Sequence, residues 1–158
     1  SSDLFSAGGH VAARLATTSD TVYAAVDAAD AHSTRPDFAL LVYPVISMQS
    51  PLAHGGSRAR LLAAGDRPEA AAIERYSPHL HVAVNTPPLF LLHAQDDDAV
   101  PVGNTLAMHA AALHAGVPAS LHVFPHGGHG FGTRGATGAL ARWPQLALDW
   151  IQEQTRTP

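Results

Sequence analysis

Two unbroken apolar runs constrain the fold of this chain more than any other feature. Residues 38–43 and residues 89–93 show no alternation of apolar and polar side chains, and Pro44 ends the first run. A strand with one face in water alternates, whereas a strand covered on both faces of a parallel sheet is continuously apolar. Both runs therefore predict buried strands of a parallel sheet, and residues 120–124 predict a third, shorter strand.

Helical patterns alternate with these strands along the chain. The alternation predicts an α/β fold in which right-handed crossovers join the strands of a parallel sheet with flanking helices. A strand stub is expected just before Ser6. Residues 48–60 contain Pro51 and two adjacent glycines, which predict a loop. We predict helices over residues 7–17, 68–75, 104–115 and 144–154, and a short helix near residues 23–31. The helix over residues 104–115 carries an apolar stripe of Leu106, Ala110 and Leu113. The last helix carries a stripe of Leu146, Trp150 and Ile151, with Trp143 at its start, which is expected to contact the core.

Length and composition limit the number of domains and the classes of partner. A chain of 158 residues, 46% of them hydrophobic, can enclose one core, so we predict one domain over residues 1–158. The net charge of −4 and the lack of a basic run argue against a nucleic-acid partner. Cysteine is absent, which excludes disulfides and a cysteine nucleophile. No apolar run is long enough to span a membrane and no signal peptide precedes Ser1, so no membrane partner is predicted.

A small-residue turn, Phe5-Ser6-Ala7-Gly8-Gly9-His10, opens the first helical pattern. A serine between a strand end and a helix start is where a nucleophile elbow exposes its hydroxyl and offers the next backbone N–H to an oxyanion. The alternative interpretation is that Ser6 only caps the helix. The elbow pattern also has glycine two residues before the serine, where this chain has Leu4.

Two polar clusters follow the later predicted strands, at the sheet edge where open α/β folds place their sites. Three consecutive aspartates, residues 96–98, come after the second strand, and His129 lies in a glycine-rich segment after the third. Serine, carboxylate and histidine thus occur in the order typical of an α/β-hydrolase. In that chemistry an imidazole accepts the proton of the serine hydroxyl, and a carboxylate fixes the tautomer of the imidazole.

Each cluster also has a simpler interpretation. Consecutive aspartates are common in solvated turns and at helix N-termini, and glycine-rich segments with histidine are often only loops. Nothing in the residues themselves separates Asp96, Asp97 and Asp98 as candidate acids. The chain has eleven histidines, so a metal site is a further alternative. Its candidate ligands are His79, His81, His126 and His129.

Several short motifs together resemble a known family. The set is similar to the acetyl-xylan-esterase-like α/β-hydrolases, which are relatives of bacterial feruloyl and acetyl esterases and are often labelled xylanase or dienelactone-hydrolase-like. The motifs run almost from one end of the chain to the other. They are Phe5-Ser6-Ala7-Gly8-Gly9-His10, Arg35-Pro36-Asp37-Phe38, Tyr43-Pro44-Val45-Ile46, Tyr76-Ser77-Pro78, Thr86-Pro87-Pro88, Asp96-Asp97 with Val100-Pro101, Gly116-Val117-Pro118 and Gly127-Gly128-His129-Gly130-Phe131.

The resemblance assigns roles to four residues. It implies Ser6 as nucleophile, His129 as base, Asp97 as acid and the N–H of Ala7 as an oxyanion donor. Asp97 follows His93 by four positions, as in the family pattern His-Gly-x-x-Asp, although Ala94 replaces the glycine. The implied activity is a carboxylic-ester hydrolase that forms an acyl-enzyme without metal or cofactor. Its substrate would be a small ester or an acylated carbohydrate such as acetylated or feruloylated xylan.

The chain departs from the family pattern before Ser6. In the family, the first strands and a His-Gly-Gly loop that supplies a second oxyanion donor precede the elbow. The resemblance therefore implies the C-terminal part of an α/β-hydrolase, with its N-terminal strands missing and an open edge on residues 38–43. The alternative function is an inactive remnant, or a half-protein that requires a complementing chain or a homodimer.

Overall fold

A three-stranded parallel sheet forms the centre of the molecule. The computed structural model describes residues 5–18, 24–62 and 70–156. The strands are β1 over Ala39–Val42, β2 over Leu89–Ala94 and β3 over Ala119–Phe124, and they lie in the order β1-β2-β3. The predicted strands and their parallel arrangement are confirmed. Phe5 adds one parallel bridge to Val42, which is the stub expected before Ser6.

The helices cover the sheet and connect its strands. Three of the predicted helices are confirmed to within one residue at each end, and the helix predicted over residues 68–75 is observed from Ala70, with residues 68 and 69 outside the described ranges. None of the helices in the described residues has the length and apolar content required to cross a membrane. The helices are α1 over Ala7–Thr17, α2 over Gly55–Leu62, α3 over Ala70–Arg75, α4 over Gly103–His114 and α5 over Trp143–Thr155.

The loop prediction for residues 48–60 is wrong in its second half, because α2 begins at Gly55. The carbonyl of His54 accepts the N–H of Arg58 at 2.9 Å, and the imidazole Nδ1 of His54 accepts the N–H of Ser57 at 3.2 Å. The side chain thereby satisfies an N–H that has no partner inside the helix, so a histidine acts as the cap.

The short helix predicted near residues 23–31 is reduced to one 3-10 turn over Ala28–Ala31. The side chain of Asp27 accepts the N–H of Ala29, and the side chain of Asp30 accepts the N–H of Asp27. This reciprocal cap fixes where the turn begins. Tyr23 lies outside the described residues.

The two faces of the sheet pack against different helices. Successive residues of a strand point to opposite faces, so Leu41 and Leu91 join the cluster under α1 and α4, whereas Phe90 and Leu92 join the cluster under α5. All four side chains are completely buried, and each contributes about 1.5–3 kcal/mol relative to an exposed position. Burial on both faces is the reason that these strands are continuously apolar.

The apolar stripe read on the fourth helix does not face the core. Leu106 is 46% exposed and Leu113 is 63% exposed, while the polar Asn104 of the same helix is fully buried. The Asn104 side-chain oxygen accepts the N–H groups of Ile46 and Ser47 at 2.9 and 2.8 Å. Ile46 and Ser47 lie far from Asn104 in the sequence, so a hydrophobicity pattern within the helix assigns the wrong helix face to the core.

The apolar stripe read on the last helix is partly correct. Trp143 is buried and Trp150 packs on Phe90, in agreement with the prediction. Leu146 was expected in the core but is 36% exposed, and Ala147 takes the buried position instead.

Candidate active site

Three side chains from separate loops meet at the carboxyl-end edge of the sheet. Ser6 lies between the strand stub and α1, Asp97 lies in the turn after β2, and His129 lies in the loop after β3. Ser6 Oγ is 2.9 Å from His129 Nε2, and His129 Nδ1 is 2.7 Å from Asp97 Oδ2. The structure therefore brings together the three residues named from the sequence, in one continuous line of hydrogen bonds.

The backbone at Ser6 is held in a conformation that non-glycine residues rarely adopt. Its φ is 54° and its ψ is −118°, a strain that typically costs about 1–3 kcal/mol. The Ser6 N–H donates to the Val42 carbonyl, and the Ser6 carbonyl accepts the N–H groups of His10 and Val45 at 3.2 Å each. Although Ser6 occupies the N-cap position, its side chain makes no capping hydrogen bond. The hydroxyl instead faces His129.

The carboxylate of Asp97 is completely buried and is held by four donors. Oδ1 accepts the backbone N–H groups of Ala99 and Val100 at 3.0 and 2.8 Å. Oδ2 accepts from His129 Nδ1 at 2.7 Å and from His93 Nε2 at 3.2 Å. The backbone contacts fix one oxygen, so the other oxygen is directed at the two imidazole rings.

The other two aspartates of the cluster have different surroundings. Asp96 is exposed and accepts the N–H groups of Gly127 and Gly128 at 2.9 and 2.8 Å. The Gly128 hydrogen bond is the largest cause that lowers the pKa of Asp96 below its usual value. Asp98 is exposed to solvent. Of the three carboxylates that the residues alone left unresolved, Asp97 is the one in contact with His129.

An aromatic ring supports His129. The Tyr43 ring lies 5.0 Å from the His129 ring, and its hydroxyl accepts the N–H of Gly132 at 3.2 Å. Burial raises the pKa of the Tyr43 phenol, so the group stays neutral. Gly128 and Gly130, on either side of His129, have φ values of 61° and 77°, which side chains with a Cβ adopt with strain. The sequence placed Tyr43 at the end of an apolar run and in a family motif, but gave it no role at the site.

A second histidine supports Asp97. His93 is fully buried, and its ring contacts Asp97, the Val100 carbonyl and the Thr105 hydroxyl. Burial lowers the pKa of His93, more than the neighbouring Asp97 raises it. Sequence reasoning used His93 only as a marker of position. The signal that would have revealed it is a polar residue at the end of a strand that is otherwise wholly apolar.

The histidines considered as metal ligands do not form a metal site. Within residues 5–18, 24–62 and 70–156, no group of three or more histidine and carboxylate side chains could hold an ion. His81 contacts the Glu74 carbonyl at 2.9 Å, and burial lowers the pKa of His79. His129 faces Ser6 instead.

The arrangement can perform a proton transfer. If His129 carries its proton on Nδ1, it donates to Asp97 and its Nε2 can accept the Ser6 proton. The side chain of His129 is 24% exposed, so a substrate can reach the pair from solvent. Ala7 is the first residue of α1, a position whose N–H has no acceptor inside the helix.

Comparison with known proteins gives relatives that are esterases and xylan-active enzymes. The acetylxylan esterase of Xylanibacter ruminicola is 35% identical over 130 residues, which are 81% of this chain and 25% of that protein. The endo-1,4-beta-xylanase B of Butyrivibrio fibrisolvens is 36% identical over 132 residues, which are 80% of this chain and 19% of that protein. This chain therefore spans a quarter or less of the length of these relatives.

Solved structures have the same fold. An acetyl ester-xyloside bifunctional hydrolase from Caldicellulosiruptor lactoaceticus superposes with a TM-score of 0.85 at 40% identity, covering 94% of this chain and 54% of that one. The resemblance to acetyl-xylan-esterase-like hydrolases is thereby confirmed. A sequence model of the prolyl oligopeptidase family matches residues 5–157. Since that match covers nearly the whole chain and the sheet and helices agree with it, the chain belongs to the prolyl oligopeptidase family of α/β-hydrolases.

Proposed function

We propose that this chain is a serine carboxylesterase that removes small acyl groups, such as acetyl, from acylated carbohydrates. The observation that carries the proposal is the line of hydrogen bonds from Ser6 through His129 to Asp97, with donor–acceptor distances of 2.9 and 2.7 Å. This is the arrangement that makes a serine hydroxyl nucleophilic.

The proposed reaction has two halves. Ser6 Oγ attacks the ester carbonyl carbon while its proton passes to His129 Nε2. The tetrahedral intermediate then expels the alcohol, which takes that proton, and leaves an acyl group on Ser6. Water attacks the acyl-enzyme with His129 again as base, which releases the acid and restores Ser6. Asp97 keeps the His129 proton on Nδ1 and stabilises the imidazolium.

The first oxyanion donor in this proposal is the N–H of Ala7. It follows the nucleophile directly and begins α1, so its N–H and the positive end of the helix dipole are directed at the same place. An oxyanion hole uses at least two donors, and loss of one typically costs about 10²–10³ in kcat. The proposal therefore assigns Ala7 one of the donors.

The substrate class follows the names of the relatives. One is an acetylxylan esterase, and the similar solved structure is an acetyl ester-xyloside hydrolase. From these names we propose acetylated xylan as the substrate of this chain, with feruloylated xylan as the alternative. The partial exposure of His129 is compatible with a polymer that docks from solvent.

The test compares two serines that both contact a histidine. Ser6 Oγ is 2.9 Å from His129, and Ser120 Oγ is 2.9 Å from His122 Nε2, where Asp97 is not in contact. We expect Ser6→Ala to abolish hydrolysis of 4-nitrophenyl acetate and acetate release from acetylated xylan, and Ser120→Ala to retain both. Equal rates for Ser6→Ala and the unmodified chain would rule out the proposal.

A second candidate is a chain that becomes active only with a complementing chain or a second copy. Among the described residues, β1 pairs along one edge with β2 and along the other only at Val42 with Phe5. Val11 is 55% exposed and Leu15 is 46% exposed, and both line a groove beside this edge together with Phe38. An open strand edge beside apolar side chains favours pairing with another chain.

Sedimentation with a parallel activity assay distinguishes the two candidates. The second candidate predicts that activity per mole rises with chain concentration as an assembly forms. A monomer whose activity per mole is constant over that concentration range would contradict it and would leave the first candidate in place.

A further inference from the structure

We propose that His93 is a positioning residue for this reaction. Its neutral imidazole carries the proton on Nε2 and holds Asp97 Oδ2 in the orientation that Asp97 presents to His129. The inference rests on the proposed function, because it assigns Asp97 the role of orienting the base. His93 does not face the substrate, and it acts only through the carboxylate.

The hydrogen-bond partners of His93 determine its tautomer. Nε2 faces two acceptors, the Val100 carbonyl at 2.9 Å and Asp97 Oδ2 at 3.2 Å. Nδ1 faces the Thr105 hydroxyl at 2.7 Å, which can donate as well as accept. A proton on Nδ1 would leave a bare Nε2 against two oxygen atoms. The proton therefore lies on Nε2, and Thr105 donates its hydroxyl proton to Nδ1.

The charge on His93 follows from its surroundings. The ring is fully buried, and burial is the largest influence on it, which lowers the pKa of His93. The titratable groups that act on it are Asp97, which opposes this shift, and His129, which adds to it when charged. A neutral His93 leaves the negative charge of Asp97 available to the imidazolium that forms on His129 during the reaction.

The geometry of the carboxylate explains why a further donor is useful. Two backbone N–H groups, those of Ala99 and Val100, hold Oδ1, so the remaining freedom of Asp97 is rotation that moves Oδ2. His129 and His93 both donate to that oxygen. His93 lies on the rigid strand β2, whereas His129 lies on a loop. The buried ring therefore holds the oxygen from β2, independently of the loop that carries His129.

Three variants test this role by kinetics. His93→Leu removes the donor, His93→Gln can return an amide N–H to the same side, and Thr105→Val removes the hydroxyl that fixes the tautomer. We expect His93→Leu to lower kcat by about 10-fold to 100-fold, the effect of one hydrogen bond to a charged group, with KM unchanged. His93→Gln should recover most of the loss, and Thr105→Val should lie between His93→Gln and His93→Leu.

The matched control is His122→Leu. His122 is also a strand histidine whose pKa burial lowers, and it stacks on Phe90 away from the three site residues. If His122→Leu lowers kcat as much as His93→Leu does, or if His93→Gln recovers nothing while unfolding at the same temperature as the unmodified chain, the positioning role is wrong.

A spectroscopic test does not require turnover. The ¹⁵N shifts of the His93 ring should report a neutral imidazole with Nε2–H at neutral pH, and any titration midpoint should lie below the ordinary value of 6.5. A titration midpoint above 6.5, or a neutral ring with its proton on Nδ1, would overturn the inference. If the spectrum agrees but no ester is hydrolysed, the proposed function fails while the His93–Asp97 contact is supported, so the two failures are distinguishable.

Discussion

The turn after β2 places two neighbouring carboxylates in opposite surroundings. Asp97 is completely buried and contacts two imidazole rings, whereas Asp96 is exposed and contacts the backbone of the loop that carries His129. Both residues act on the same loop, and their sequence environment is nearly identical. One position along the chain therefore separates a carboxylate that contacts the His129 ring from one that bonds to the backbone of the His129 loop.

Two kinds of contact support the site, one from the buried Asp97 and one from the exposed Asp96. On the buried side of the turn, Asp97 directs one oxygen at His129 in surroundings where an unpaired charge is costly. On the exposed side, Asp96 bonds with the N–H groups of Gly127 and Gly128 and with His126, where water competes for every partner. We expect changes on the buried side to affect the chemistry and changes on the exposed side to affect the loop.

Among changes to this turn, Asp97→Asn is expected to have the largest effect. The amide can keep the geometry but cannot enforce the Nδ1–H tautomer of His129, so kcat for acetyl ester hydrolysis should fall by about 10⁴-fold. Asp98→Asn is the matched control, because Asp98 is the exposed neighbour. Steady-state kinetics of both variants provide the measurement. A similar loss for the two variants would remove the distinction between the buried and exposed sides of the turn.

Gly127→Ala tests the loop from its packed side. An added Cβ would lie 2.7 Å from a methyl group of Leu140 and 3.0 Å from the Cβ of Ala94, so either the Leu140 side chain or the loop must shift. We expect a loss of about 1–3 kcal/mol in the free energy of unfolding, measured with denaturant, together with lower activity. Gly55→Ala is the control, since its Cβ would meet no atom of the described residues within 4 Å. Equal stability of the two variants would contradict the packing argument.

Ser6→Gly and Ser6→Ala test whether the backbone at Ser6 is strained. Both variants lack the hydroxyl, so both should be inactive. With φ at 54°, glycine relieves the backbone strain that alanine retains. The free energy of unfolding of Ser6→Gly should therefore be about 1 kcal/mol greater than that of Ser6→Ala. Thermal or denaturant unfolding of the pair gives the answer, and a more stable Ser6→Ala would show that the backbone at Ser6 is not strained.

Acid titration tests the exposed side, with the smallest expected effect. The pKa of Asp96 is lowered from 3.8 by the Gly128 N–H, so the stabilising contact is complete above 3.8 and is lost as the pH falls through the lower, folded value. The amide proton shifts of Gly127 and Gly128 should follow this loss. Asp96→Asn should abolish the titration while its activity near neutral pH stays within about tenfold of normal, because exposed charge contacts contribute little. A titration midpoint of Asp96 above 3.8 would contradict the stabilising contact with the Gly128 N–H.

The local sequence pattern predicted elements whose residues are uniformly buried. It failed for elements in which polar groups form hydrogen bonds with residues distant in the sequence. The strands were predictable because residues on both faces are buried, so every side chain of the run is apolar. The buried face of α4 was not predictable in this way, because Asn104 is buried through its contacts with Ile46 and Ser47. The start of α2 was missed because its cap is the imidazole of His54, which is not a usual capping residue.

The parallel α/β architecture and the order of serine, carboxylate and histidine were predictable from the amino-acid sequence, since both depend on local periodicity and strand position. The residues themselves left Asp96, Asp97 and Asp98 as equal candidates and the family resemblance pointed to Asp97, but the contact of Asp97 with His129 and the burial of His93 behind it are visible only in the folded chain. The physical reason is distance along the chain. Asp97 and His129 are separated by 32 positions, and local periodicity does not specify which of three adjacent aspartate side chains will face the histidine.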